Sequence, residues 1–303
     1  MGTLSEYPVG MTSLPLVRSF TDSHGVDITF YEWPVSAPKA VIQLVHGLGE
    51  HANRYVHLMK DLNRAGYHVY ASDHRGHGQT GVSMRQKGLT KRQGELGVGG
   101  MKAVFTDELE LASIIEREQA GVPLVLLGHS WGSLISQRLL DTDSDRYAAV
   151  VLTGSTLALP GVLPNGGDDK RFVEKGTKPL GGEWLSRKPG IAEAFRNDPL
   201  NFPETAMEAF GFGNCLKLIG VPKKVIRPSL PMLLMAGSED CLGAERGNLM
   251  LQKAFMRAGV EDVGLIVYHG ARHEIFNEIN YEEVFSDLLA WLDGEFAEPD
   301  ADN

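Results

Sequence analysis

Short apolar runs alternate along this chain with longer stretches of helical spacing. Leu16 to Thr21 and Val26 to Glu32 read as strands, and the turn cluster Asp22-Ser-His-Gly25 between them predicts a hairpin. Ala40-Val-Ile-Gln-Leu-Val45 is almost wholly apolar and β-branched, the pattern of a strand buried on both faces. Tyr55, Leu58, Met59 and Leu62 then fall at helical spacing, with Gly66 as a C-terminal stop. Tyr67 to Ser72 is the next strand, closing on Asp73-His-Arg-Gly-His-Gly78, after which a glycine-rich loop is expected to reach Gly100. Phe105, Leu109, Ala112 and Ile115 mark a second helix, Leu124 to Leu127 a strand, Leu134 to Leu140 a helix and Ala148 to Leu152 a strand. Strand and helix in alternation predict right-handed crossovers and a largely parallel sheet with helices on both faces, an α/β fold.

The alternation stops at Gly154. Pro160 to Asp169 reads as loop, and Phe172, Trp184, Leu185, Phe195, Phe202, Met207, Phe210, Phe212 and Leu216 follow without strand periodicity. We read residues 155–229 as an inserted helical cap dividing the core into residues 1–154 and 230–303. The sheet resumes at Pro231 to Ala236, continues through a helix near Leu249 to Met256 and ends with the strand Val263 to Tyr268. Val284, Leu288 and Leu292 share one face of a last helix, Tyr281 to Phe296, before a polar tail, Glu298 to Asn303.

The candidate chemistry sits where the strand at Leu124 meets its helix. Gly128-His-Ser130-Trp-Gly132 is a G-x-S-x-G pattern in a strand–turn–helix context, the setting of a nucleophile elbow. The serine must stand clear of the sheet on a strained turn, and side chains two residues to either side would collide with the neighbouring strand and helix. A serine hydroxyl needs a base, and the base needs a third group to orient it and stabilise its charged form. On this architecture the acid and then the histidine follow the serine in chain order, on loops past later strand ends. Glu239 and Asp240 stand after one such strand. Asp240 is preferred because it lies deeper in the loop and its side chain is the shorter. His269 and His273 stand after the last strand; His269 abuts it, and His273 is preferred because it lies in the loop. The oxyanion hole calls for two backbone N–H groups, from Trp131 after the nucleophile and from Leu48 in His46-Gly-Leu-Gly49.

Composition narrows the setting. With 303 residues, 43 % hydrophobic and 22 % charged, the chain has material for a large core, and its net charge of −10 argues against nucleic acid or an anionic membrane as the main partner. Cys215 and Cys241 make no disulfide framework, no apolar run spans a membrane, and Met1 to Val17 lacks the pattern of a secretory signal; a cytoplasmic protein is the expectation. The histidines of Asp73 to Gly78 fit no standard metal-ligand spacing, and Gly94 to Gly100 follows no strand, so neither a metal nor a phosphate loop is expected.

His-Gly-Leu-Gly-Glu-His-Ala-Asn-Arg-Tyr55, Asp-His-Arg-Gly-His-Gly78, Gly-His-Ser-Trp-Gly132, Asn-Asp-Pro-Leu200, Gly-Ser-Glu-Asp240 and His273 occur in this order. In this the chain resembles the monoacylglycerol lipase and lysophospholipase group of the α/β-hydrolases, from about Val17 to Trp291. The resemblance implies an eight-stranded sheet with a mobile helical cap, Ser130, Asp240 and His273 as a triad, and Leu48 and Trp131 as oxyanion donors. It also implies ester hydrolysis with neither metal nor organic cofactor. Trp131 departs from the group, which often carries Met or a smaller residue there. The expected substrate is a small-molecule ester with one acyl chain, a monoacylglycerol or lysophospholipid, with Phe172, Trp184 and Phe210 lining its pocket. An apolar cap also suits transient contact with a lipid surface; oligomeric state is not legible. The same aromatics suit a carboxylesterase for small aromatic or alkyl esters, in which case Arg171, Lys175, Arg187 or Lys188 would anchor an acidic substrate. A non-catalytic receptor on the same fold is a third reading, whereas a dehalogenase or epoxide hydrolase would need Asp at position 130.

Overall fold

The computed structural model describes residues 14–163 and 167–296. The expectations for Met1 to Val17 and for Glu298 to Asn303 fall largely or wholly outside them. Eight strands form one sheet: β1 (Leu16–Thr21), β2 (Asp27–Trp33), β3 (Val41–Val45), β4 (His68–Ser72), β5 (Leu124–His129), β6 (Ala149–Thr153), β7 (Met232–Gly237) and β8 (Val263–Tyr268), in the order β1-β2-β4-β3-β5-β6-β7-β8. β1 and β2 pair antiparallel as the predicted hairpin, β2 joins β4 antiparallel, and all remaining pairs are parallel. The expected α/β-hydrolase architecture is what the chain adopts.

The helices are α1 (Val56–Arg64), α2 (Gly78–Gln86), α3 (Gly100–Glu118), α4 (Trp131–Asp143), α5 (Ile191–Asn197), α6 (Ala206–Phe210), α7 (Phe212–Cys215), α8 (Ala244–Ala258) and α9 (Tyr281–Phe296). The central strands are apolar at nearly every position because alternate residues enter different cores. Val41 and Val45 of β3 and Leu124 and Leu126 of β5 pack with α3, α4 and α8. Ile42, Leu44, Val125 and Leu127 face the opposite side, with Leu58, Met59 and Leu62 of α1 and Val284, Leu288 and Leu292 of α9. Between β6 and β7 the described residues form no strand, only short helices and loop, and α5 stops at Asp198 before Pro199.

The glycine-rich loop expected from Gly78 onward is interrupted by α2. Its glycines hide the helical signal, and its start is fixed by tertiary contacts instead. Asp73 Oδ2 accepts from Gln79 N–H (2.7 Å), and Gly81 lies so close to Gly76 that a Cβ there would meet its carbonyl carbon at 2.5 Å. The turn before α2 is a structural hub. Asp73 also accepts from Ala52 N–H and the Tyr31 hydroxyl, and the buried Arg75 donates to Asp107 and to the Leu96 and Val98 carbonyls. Through those carbonyls the end of the glycine-rich loop is tied to the turn after β4. Among the described residues no His, Cys, Asp or Glu cluster is placed to hold a metal ion, and no helix is long and apolar enough to cross a membrane.

Candidate active site

The carboxyl ends of the parallel strands converge on Ser130. It sits between β5 and α4 with φ 54° and ψ −122°, a left-handed conformation rare outside glycine. Its N–H donates to the Thr153 carbonyl at the end of β6 (2.9 Å), and its carbonyl accepts from Ser133 N–H and from the Ser133 hydroxyl (2.6 Å). Both flanking glycines are needed for room. A Cβ on Gly132 would stand 2.0 Å from the Val45 carbonyl oxygen, and one on Gly128 2.4 Å from Ser136 Oγ. The strained turn is therefore wedged between β3 on one side and its own helix on the other.

Asp240 follows β7 and His273 follows β8, and the two loops are stitched together: Ser238 N–H donates to the Tyr268 carbonyl and Glu239 N–H to that of Ala271. This brings His273 Nδ1 to 3.0 Å from Asp240 Oδ1, which also accepts from Leu242 N–H (2.8 Å). Both residues are buried, and His273 Nε2 has no hydrogen-bond partner among the described residues. Burial opposes a charge on His273, but the Asp240 carboxylate outweighs it, and its pKa lies above the ordinary histidine value. Of the other candidates, Glu239 turns outward to pair with Arg171, and His269 is exposed.

The loop after β3 passes beside the serine, since a Cβ on Gly47 would lie 3.1 Å from Ser130 Cβ. Gly47 N–H is taken by Glu50 Oε1 (2.6 Å), whereas Leu48 N–H donates to no acceptor among the described residues. Trp131 N–H opens α4 and has no acceptor within the helix. Two unspent donors thus flank Ser130, one on each side. The cap aromatics arrive at the same place. Phe210 packs on Trp131 with ring centres 4.6 Å apart, Trp184 lies 4.7 Å from the His273 ring, and Phe172 covers the Arg272 guanidinium at 4.3 Å.

A buried ion cluster beneath the site was not anticipated. Arg54 donates to Glu50 (3.1 Å) and to both oxygens of Glu274 (2.6 and 2.7 Å), and the Tyr55 hydroxyl donates to Glu50 (2.6 Å). Glu50 belongs to the loop beside Ser130 and Glu274 follows His273, so one guanidinium clasps both halves of the site. Burial raises the Glu50 pKa, the charge of Glu274 adds to this, and Arg54 opposes it. Removing the cation would leave two buried carboxylates facing each other. Arg54→Ala is expected to destabilise the fold by about 3–5 kcal/mol at pH 8 in urea unfolding. The deficit should shrink as pH falls, because a protonated carboxyl no longer requires the guanidinium. A loss below about 1 kcal/mol would show the cluster to be dispensable.

The family described as serine aminopeptidase, S33, matches residues 36–280 of the chain. A monoacylglycerol lipase of Mycolicibacterium smegmatis is 30% identical over 290 residues, covering 91% of this chain and 96% of the relative. The human monoglyceride lipase is 28% identical over 277 residues, covering 86% and 85% respectively. A thermostable carboxyl esterase of Bacillus coagulans, whose crystal structure is known with glycerol bound, superposes with a TM-score of 0.79 at 24% identity, over 94% of this chain and all of its own, a likeness of fold.

Proposed function

The chain belongs to the serine aminopeptidase S33 family of α/β-hydrolases, in its monoacylglycerol lipase-like group, and we propose on that footing that it is a serine esterase for monoacylglycerols. That it is a carboxylic ester hydrolase follows from its relatives, two of which are lipases of this kind over nearly their whole length. The mechanism rests on one observation: a buried imidazole held at Nδ1 by Asp240, with Nε2 unspent, on the sheet edge where Ser130 stands in a strained turn. In this reading His273 Nε2 takes the Ser130 proton as Oγ attacks the ester carbonyl. The N–H groups of Leu48 and Trp131 hold the resulting oxyanion, and the imidazolium returns its proton to the departing alcohol. Water then repeats the sequence on the acyl-enzyme.

For the substrate, residues 155–229 serve as the cap. Leu157, Leu185, Phe202, Phe210 and Leu218 are buried, and Leu159, Val162 and Leu163 lie partly buried against that apolar mass. We assign this apolar surface to the alkyl chain of the substrate. Two of the four cations that could hold an acidic substrate are committed: Arg171 pairs with Glu239, and Arg187 with Glu278. Met207, Phe212 and Leu216 face outward, and we assign them to transient contact with a lipid surface.

A panel of monoacylglycerols of rising chain length, set against benzoate and short alkyl esters, tests the assignment. The expected result is a kcat/KM that climbs by up to about fourfold per methylene over several carbons, the worth of a buried CH₂. Faster turnover of the aromatic-acid esters would replace this reading by that of a small-ester carboxylesterase.

A further inference from the structure

The indole of Trp184 faces the imidazole of His273, with ring centres 4.7 Å apart and planes at 36°. The contact is built rather than incidental. Arg272 donates to the carbonyls of Glu183 (2.6 Å) and Ser186 (3.1 Å), on either side of the tryptophan. His273 N–H donates to the Trp184 carbonyl and Glu274 N–H to that of Leu185 (2.7 Å). Ser186 Oγ donates to the Asn277 carbonyl, and Arg187 to Glu278. A Cβ at Gly167 would stand 2.1 Å from the indole, so the backbone there closes against the ring. Segment 183–187 is thereby fastened to the loop of His273 along its length, and the backbone that carries the indole cannot move away from His273 without breaking those bonds.

We propose that Trp184 is a positioning residue for the base, its π face steadying the His273 ring and stabilising the imidazolium formed when Ser130 gives up its proton. The inference rests on His273 being that base. An indole face is the strongest of the aromatic partners for a cation within about 6 Å of its centre. In the active enzyme, whose base starts neutral, His273 gains its positive charge as the proton leaves Ser130 Oγ and loses it to the leaving alcohol, so during turnover the interaction is strongest near the transition state. The other groups around the ring are Asp240 at Nδ1, the buried His129 ring at 4.8 Å, Glu274 in the same loop, and Glu50 with its Arg54 partner. Neutral His129 offers the ring no compensating charge, its own pKa being held well down by burial and by His273. Trp184 is the π face that the cap adds to this set.

Trp184→Leu keeps an apolar cover over the ring and removes the π face, and Trp184→Phe keeps a weaker one. Both are to be compared with the parent, as full-length protein, in kcat and KM against pH on a soluble short-chain ester. For Trp184→Leu the plateau kcat should fall about 2- to 30-fold. The acid limb of kcat/KM should move about 0.4 to 1.5 pH units lower, with Phe in between. An altered KM with kcat and limb unmoved would make Trp184 a wall of the substrate pocket and overturn the proposal. So would a lower kcat with the limb unmoved or displaced upward, the mark of loosened packing. A second measurement needs no turnover. Protonated imidazole quenches an indole it touches, so the tryptophan emission of the parent should drop as pH falls through the His273 titration. That step should vanish in both Trp184→Phe and His273→Gln. Absence of the step in the parent overturns the proposal, whereas a step in a protein that cleaves no ester would place the failure in the esterase reading.

Discussion

Ser130→Ala is expected to lower kcat on a monoacylglycerol by about 10⁴- to 10⁶-fold, leave KM within a few-fold of the parent, and abolish labelling by a fluorophosphonate. In the proposed mechanism the hydroxyl is the group that forms the new bond, and Ser133 does not replace it. Ser133, the adjacent hydroxyl, is committed to the Ser130 carbonyl and to Ser155 Oγ (2.9 Å), beneath the turn rather than above it. The residual rate would come from the donors at Leu48 and Trp131 and from binding alone. The fold should be unaffected. The turn is held by main-chain bonds from Ser130 N–H to Thr153 and from Ser133 N–H to Ser130, and Ala retains both. Removing the side chain leaves the left-handed backbone to be tolerated by another small residue. A variant that still turned over the ester at a tenth of the parental rate would end the covalent mechanism for this chain.

Much of this site was legible because its informative residues are local. Gly128, Ser130 and Gly132 announce a strained turn within five positions, and the reason for each glycine proves to be the close approach of β3 and α4. Asp240 and His273 were candidates because a parallel sheet sends its loops to one edge, so strand ends in the sequence become neighbours in space, and the two do meet. The structure also separates candidates that the sequence ranked by depth in a loop and by side-chain length. Asp240 meets His273, while Glu239 meets Arg171. The Arg54 cluster was illegible. Arg54 and Glu274 are 220 residues apart, and no periodicity relates them. α2 was missed for a different reason: glycines at 78 and 81 are poor helix formers, and the helix is imposed by Asp73 and by packing on Gly76. The cap showed its apolar content but not its contacts. That Trp184 faces His273, Phe210 faces Trp131 and Phe172 faces the Arg272 guanidinium depends on loop paths that hydrophobicity does not encode.

Asp240→Asn separates what the carboxylate does by geometry from what it does by charge. Leu242 N–H donates to the same oxygen that faces His273 Nδ1, so an asparagine is held with its carbonyl oxygen in that place and its amide nitrogen turned away. The orienting hydrogen bond and the tautomer survive, and only the negative charge is lost. In the parent, burial disfavours the imidazolium and the Asp240 charge more than restores it, so activity should rise with pH through a value raised from the ordinary histidine one. In the variant burial remains and its main counterweight is gone. The pKa of His273 then falls, and the acid limb of kcat/KM should shift to lower pH. The same loss removes the partner of the imidazolium in the transition state, so kcat at the plateau should drop by about 10²- to 10⁴-fold. The two effects run in opposite senses for a chemist working at acidic pH: the base is more often in its neutral, competent form, yet each encounter is far less productive. A variant with a lowered plateau and an unmoved limb would mean that Asp240 acts on His273 through position alone. A limb moved upward would mean that the charge governing the base lies elsewhere, with Glu274 or Glu50 the groups to replace next.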